Sequence, residues 1–149
     1  MSSSLPSARK KARHMLVQAL YQWQLSDTSI GVIEAQYMAE KSMAKADSDF
    51  FCELLHEIPA KLNELDGAYR EFLDRDPDAL DPISLAVLRI SVYELLYRVD
   101  IPYRVVINEA VNLTKTFGPT DAYKYINGIV DRVAARARRV EIAASKGKG

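Results

Sequence analysis

Asp81-Pro82-Ile83-Ser84-Leu85-Ala86-Val87-Leu88-Arg89-Ile90-Ser91-Val92-Tyr93-Glu94-Leu95-Leu96-Tyr97-Arg98-Val99 is the stretch from which the fold can be read. Asp81 is a good N-cap, and Pro82 suits the first helical position, where an amide would have no helical acceptor anyway. From Ile83 to Val99 apolar side chains occur on nearly every side rather than on one stripe, which predicts a helix at the centre of a bundle. Downstream, Asp100-Ile101-Pro102 opens another helix and Gly118-Pro119 ends it, glycine being expected in the left-handed cap and proline to block continuation. A last helix is expected from about Thr120 to Val140, with its stripe at Ala122, Ile126, Ile129, Val130, Val133 and Ala137.

Upstream the same period recurs. A first helix after Ser7 buries Ala12, Leu16, Ala19, Leu20 and Trp23, and a second runs roughly from Ser29 to Ala44. A third starts at Asp47 or Ser48 and buries Phe50, Phe51, Leu54, Leu55, Ile58 and Leu62. Pro59 either kinks it or breaks it before Leu65, Tyr69 and Leu73. No stretch shows the alternation of a half-buried strand, so the class is all-α, a compact bundle of about six to seven helices. A chain of 149 residues, 48% hydrophobic, suits one domain over 1–149. Asp74-Arg75-Asp76-Pro77-Asp78 is the expected seam between helical halves at about 8–76 and 81–140, and the tail 141–149 is expected to be disordered. No apolar run approaches a membrane span or signal peptide, which predicts a cytoplasmic protein with no membrane partner. Cys52 is the only cysteine and with His14 and His56 makes no zinc ligand set; it is expected to be a small buried hydrophobe.

The net charge is zero by cancellation. Residues 1–26 carry Arg9, Lys10, Lys11 and Arg13 without an acid (+4), residues 27–131 hold ten basic and nineteen acidic residues (−9), and residues 132–149 return to +5. Basic ends around an acidic middle point to a polyanion at the termini, or more blandly to solubilising tails. The bland reading suits the last residues; the first cluster runs into a helix. No glycine fingerprint, Walker sequence or metal-ligand spacing is present, and the carboxylates are scattered on helix surfaces, so neither enzyme nor cofactor is predicted.

On the first helix, at about 100° per residue, Lys10, His14, Val17, Tyr21 and Leu25 fall opposite the Ala12/Leu16/Trp23 stripe, with Lys11 and Gln18 beside them. Lysines neutralise phosphates, a tyrosine ring can stack on a base and glutamine can read a base edge. The competing reading makes Tyr21 and Leu25 simply core. On the last helix Asp121, Tyr125, Gly128 and Arg132 lie off the core stripe, with Lys124 adjacent and Phe117 before the turn. Asp121 reads as a helix N-terminal carboxylate that would oppose phosphate passing Lys124 and Tyr125.

Arg9-Lys10-Lys11-Ala12-Arg13 leading into Val17-Gln18-Ala19-Leu20-Tyr21-Gln22-Trp23 resembles the opening of the NusB family. So do Ala86-Val87-Leu88-Arg89 with Tyr93-Glu94-Leu95, Pro102-Tyr103 with Ile107-Asn108-Glu109-Ala110, Lys115-Thr116-Phe117-Gly118, and Asn127-Gly128-Ile129-Val130-Asp131. The resemblance implies two perpendicular three-helix halves and transcription antitermination by binding boxA single-stranded RNA together with NusE, a small-subunit ribosomal protein. It further implies work with other Nus factors on the transcription elongation complex, notably in ribosomal RNA operons. It assigns RNA contact to Arg9, Lys10, Lys11, Arg13, Gln18, Tyr21, Phe117, Lys124 and Tyr125, and partner contact to Tyr21, Leu25, Ser84 and Arg89. Lys10 and Lys11 stand where the family favours arginine, which keeps the charge and loses the planar fork. Two alternatives stay open: an RNA-binding domain like the front end of an RNA cytosine methyltransferase, and a helical adaptor that binds no RNA.

Overall fold

The computed structural model describes residues 5–147, and all regular structure among them is helical. The chain divides into two compact units, one up to Leu62 and one from Asn63.

In the first unit α1 (Leu5–Leu25) packs mainly against α3 (Ser48–Ala60), with α2 (Ile30–Met38) contacting both. Ser29 caps α2 by accepting from the Val32 amide at 3.4 Å, and Asp47 caps α3 by accepting from the Phe50 amide at 3.0 Å. The helix expected over 29–44 is split, because it gives way after Met38 to a 3-10 turn at Lys41–Lys45 that inserts Met43 into the core. Pro59 lies in the last turn of α3, where few backbone bonds remain to be lost. The helix ends after Ala60, Lys61 turns with its amide on Glu57 and Ile58, and α4 (Leu62–Arg70) restarts at once. Cys52 is half-buried, with Sγ 3.9 Å from Met38 Sδ, rather than in the core.

The second unit holds most of α4, then α5 (Pro82–Tyr97), α6 (Tyr103–Phe117), α7 (Ala122–Ala137) and α8 (Arg139–Gly147). As expected, Asp81 caps α5 through the Ser84 amide at 2.9 Å with Pro82 behind it, and nearly all of α5 from Ser84 to Leu95 is buried. The seam lies at residue 62 rather than in the acidic connector because α4 is tied to α5. Arg89 on α5 donates two parallel bonds to Asp66 on α4, at 3.1 and 2.9 Å, and the Tyr69 hydroxyl donates to the same carboxylate at 2.9 Å. Tyr97 likewise bonds Glu64. Burial, reinforced by Asp66, pushes the Tyr69 phenol far above its ordinary range.

Two further expectations change. Gly118 is not left-handed (φ −94°); a Cβ there would sit 2.9 Å from the Thr114 carbonyl oxygen, so close approach rather than backbone handedness demands glycine. The last helix stops at Ala137, and a new one runs to Gly147 where a disordered tail was expected; Lys148 and Gly149 lie outside the described residues.

The break is made by Arg138, which is 5% exposed. Its guanidinium spends all five N–H donors. They go to the carbonyls of Glu94 (3.0 Å), Leu95 (2.8 Å), Arg98 (2.9 Å) and Ile101 (2.9 Å) and to Glu141 (2.6 Å). Arg138 thereby closes the carbonyl end of α5. Glu141 in turn accepts from the Tyr103 amide at 3.0 Å, capping α6, whose own N-cap is Pro102 and has no side-chain acceptor. Burial alone would raise Glu141, but the Tyr103 amide and the Arg138 guanidinium outweigh it and hold its carboxyl below the usual range.

Candidate nucleic-acid interface

The acid-free start of α1 does not present four equivalent cations. Arg9 donates to Asp47 at 3.3 Å and lies 5.5 Å from the Phe50 ring centroid. Arg13, expected at the interface, is 2% exposed and sits 5.1 Å from the same centroid. Both follow from one geometry: α1 crosses the capped start of α3, and the guanidiniums stack on its first aromatic ring. Lys10 and Lys11 are exposed, and with His14, Met15 and Ser42 they line a hollow of about 410 Å³. Gln18 is exposed with its amide on the His14 carbonyl at 3.2 Å. Farther along α1, Val17 is fully buried, while Tyr21 and Leu25 remain 41% and 57% exposed.

In the second unit, Ser84 and Arg89 are buried, contrary to their expected place on a partner surface. Ser84 lies in the capped first turn of α5, and Arg89 is directed at Asp66. Tyr125 is not an open stacking platform either. Its hydroxyl accepts from the Asp74 amide at 3.0 Å, and the Arg75 guanidinium lies 4.3 Å from its ring centroid. The connector thus covers it, and burial raises its phenol pKa. Asp121 precedes α7 but makes no side-chain cap; it is the one described non-glycine residue at positive φ (66°), and it faces Lys124 at 3.7 Å. Phe117 is half-buried at the end of α6.

The groove beside Lys124 was not foreseen from the sequence. Asn108, Val111, Asn112 and Lys115 from α6 face Tyr123, Lys124 and Asn127 from α7 across a hollow of about 560 Å³. The Lys115 and Lys124 ammonium groups lie 4.6 and 5.9 Å from the Tyr123 ring centroid, so one ring gathers two cations. Two ammoniums and three carboxamides suit a phosphate and the edge of a base. The signal was present in the i, i+4, i+7 spacing of Asn108, Asn112 and Lys115, but their neighbours on α7 are set by packing.

Among the described residues no group of three His, Cys, Asp or Glu side chains is placed to hold a metal, and no helix is long and apolar enough to cross a membrane. The sequence model of the NusB family matches residues 10–135. A transcription antitermination protein NusB from Pseudomonas fluorescens is 48% identical over 143 residues, covering 96% of this chain and 86% of the relative. One of the same name from Saccharophagus degradans is 48% identical over 141 residues, covering 94% of each. Among solved structures, T. maritima NusB superposes with a TM-score of 0.75 at 27% identity, covering 90% of this chain and 92% of that one. A structure of the antitermination factors NusB and NusE in complex with dsRNA gives a TM-score of 0.70 at 23% identity over 85% of this chain and 96% of that one, a likeness of fold.

Proposed function

The chain belongs to the NusB family, and from that premise we propose that it is a transcription antitermination factor acting by holding single-stranded RNA. In this reading the RNA is the boxA element of a nascent ribosomal RNA transcript. It is held together with NusE, and the complex joins other Nus factors on the elongating polymerase in the cytoplasm. The observation that carries the RNA part is the exposed Lys10 and Lys11 on a helix start free of acids. Their ammoniums act as phosphate neutralisers, with Arg9 and Arg13 fixing the helix that carries them. Tyr21 and Leu25 supply the exposed amphipathic face on which the protein partner rests, Ser84 and Arg89 contributing only through the packing of α5.

The test is salt dependence of binding to a boxA-type single strand. Replacing Lys10 and Lys11 by alanine removes two phosphate contacts, and at about −0.7 per contact the log–log slope should flatten by roughly 1.4. The helical circular dichroism should stay unchanged, since both side chains are exposed. An unaltered slope would remove α1 from the RNA site.

A second expected result concerns Asp121. Asparagine tolerates the left-handed backbone as well as aspartate does, so Asp121→Asn should leave the melting temperature nearly unchanged. It frees Lys124 from its carboxylate and should tighten RNA binding, with the gain shrinking as salt rises. Equal or weaker binding at low salt would mean that the strand does not pass the start of α7.

A further inference from the structure

The basic end of the chain lies partly beyond the family match, which stops at residue 135. There Arg132, Arg136 and Arg139 converge with Phe72 and Ala135 on a hollow of about 320 Å³. Arg136 bonds Glu71 and lies 5.2 Å from the Phe72 ring centroid. Arg132 and Arg139 are exposed and have no carboxylate partner among the described residues. The carboxylates nearest in sequence are Asp131, on the flank of α7, and Glu141, already held by Arg138 and the Tyr103 amide.

This hollow and the Lys115/Tyr123/Lys124 groove lie toward opposite ends of the same helix. Lys124, Gly128, Arg132 and Arg136 succeed one another at four-residue steps and are all exposed, so they follow a ridge that rises about 18 Å along α7 while winding about 120° around it. Gly128 leaves that ridge open between the two basic ends: a Cβ there would meet nothing within 4 Å. A track of cations with a bare middle and an aromatic ring at its far end suits an extended polyanion carrying planar bases. Guanidiniums at that end add the fork that grips phosphate oxygens in pairs.

We propose that the junction of α7 and α8 is a second phosphate-binding surface for single-stranded RNA, built from Arg132, Arg136, Arg139 and Phe72. It extends the strand's path along α7 beyond the Lys115/Tyr123/Lys124 groove. This deepens the RNA-binding reading and rests on it. The surface takes the strand by its backbone, the guanidiniums gripping phosphate oxygens beside the Phe72 ring.

The experiment uses the full chain and two single-stranded RNAs, one a short boxA-type strand and the other the same strand lengthened at both ends with uridines. Fluorescence anisotropy is followed over a salt series for the wild type and for the double variant Arg132→Ala/Arg139→Ala, which leaves the Arg136–Glu71 pair intact. The longer strand should show the steeper slope with the wild type. The double variant should flatten that slope by roughly 1.4, about a seven-fold smaller loss of affinity between about 50 and 200 mM salt, and leave the short strand unaffected. A wild-type slope for the variant on the long strand overturns the proposal even if the short strand binds well. Failure of both strands to bind the wild type overturns the RNA reading as a whole. If polyglutamate rather than the long RNA loses affinity in the variant, the surface belongs to an acidic protein and the proposal falls.

Discussion

Replacing Arg138 by alanine is expected to lower the unfolding free energy by about 3–5 kcal/mol, measured by urea denaturation. The Leu95 and Ile101 carbonyls lose the side-chain donor that serves them, while the Glu94 and Arg98 carbonyls and the Glu141 carboxylate each lose one of two donors, in a place where Arg138 is 5% exposed and water has little access. Each buried acceptor left unsatisfied costs about 1–3 kcal/mol, and relaxation recovers part of the sum. Against the roughly 5–15 kcal/mol available to a domain, this is enough to make the second unit fail at moderate temperature. Arg138→Lys should recover less than half, because an ammonium has three donors on one atom where the site needs five on a fork. A loss under about 1 kcal/mol for the alanine variant would show that the acceptors find other partners. The pH response has a defined sign. Glu141 is depressed in the folded state, so its contribution is complete above the ordinary glutamate range and disappears as pH falls through the lowered value.

Arg89→Ala is expected to cost about 3 kcal/mol or more, and to do so by unfolding rather than by loosening a protein partner. It strands the Asp66 carboxylate, whose side chain is 18% exposed, with only the Tyr69 hydroxyl as donor. Asp66→Asn keeps the shape and removes the charge, so the double variant should be less unstable than the two single effects added together. Thermal melts of the four proteins measure that coupling. An unchanged melting temperature for Arg89→Ala, with weakened binding of NusE, would restore Arg89 to the partner surface.

The helices were legible because their signals are local. The Asp81-Pro82 start, the all-round apolar run behind it and the Asp47 cap need nothing from the rest of the chain. The seam was misplaced because charge density marks a loop, whereas unit membership is decided by pairings such as Arg89 with Asp66, twenty-three residues apart. The same blindness affected the site. A run of four cations looks uniform in one dimension, yet Arg9 and Arg13 turn toward Phe50 while Lys10 and Lys11 turn away. Tyr125 has the composition of a stacking platform, and only the path of Asp74 and Arg75 reveals that it is covered. The extension to Gly147 was hidden because its anchor, Arg138, bonds carbonyls about forty residues upstream that leave no trace in composition.

The division of labour within the first cluster bears on how such a factor makes decisions. With two of its four cations committed to holding α1 on α3, the chain would on the proposed reading meet nucleic acid at that helix with two exposed ammoniums. That grip is easily outcompeted by salt and by the abundant non-target RNA of a cell. On the proposed reading the chain holds a strand weakly by itself, and a second tethered contact strengthens the hold by raising the local concentration of strand and protein together. On that reading the molecule would answer most strongly to the coincidence of a transcript and a companion protein, as a logical AND does.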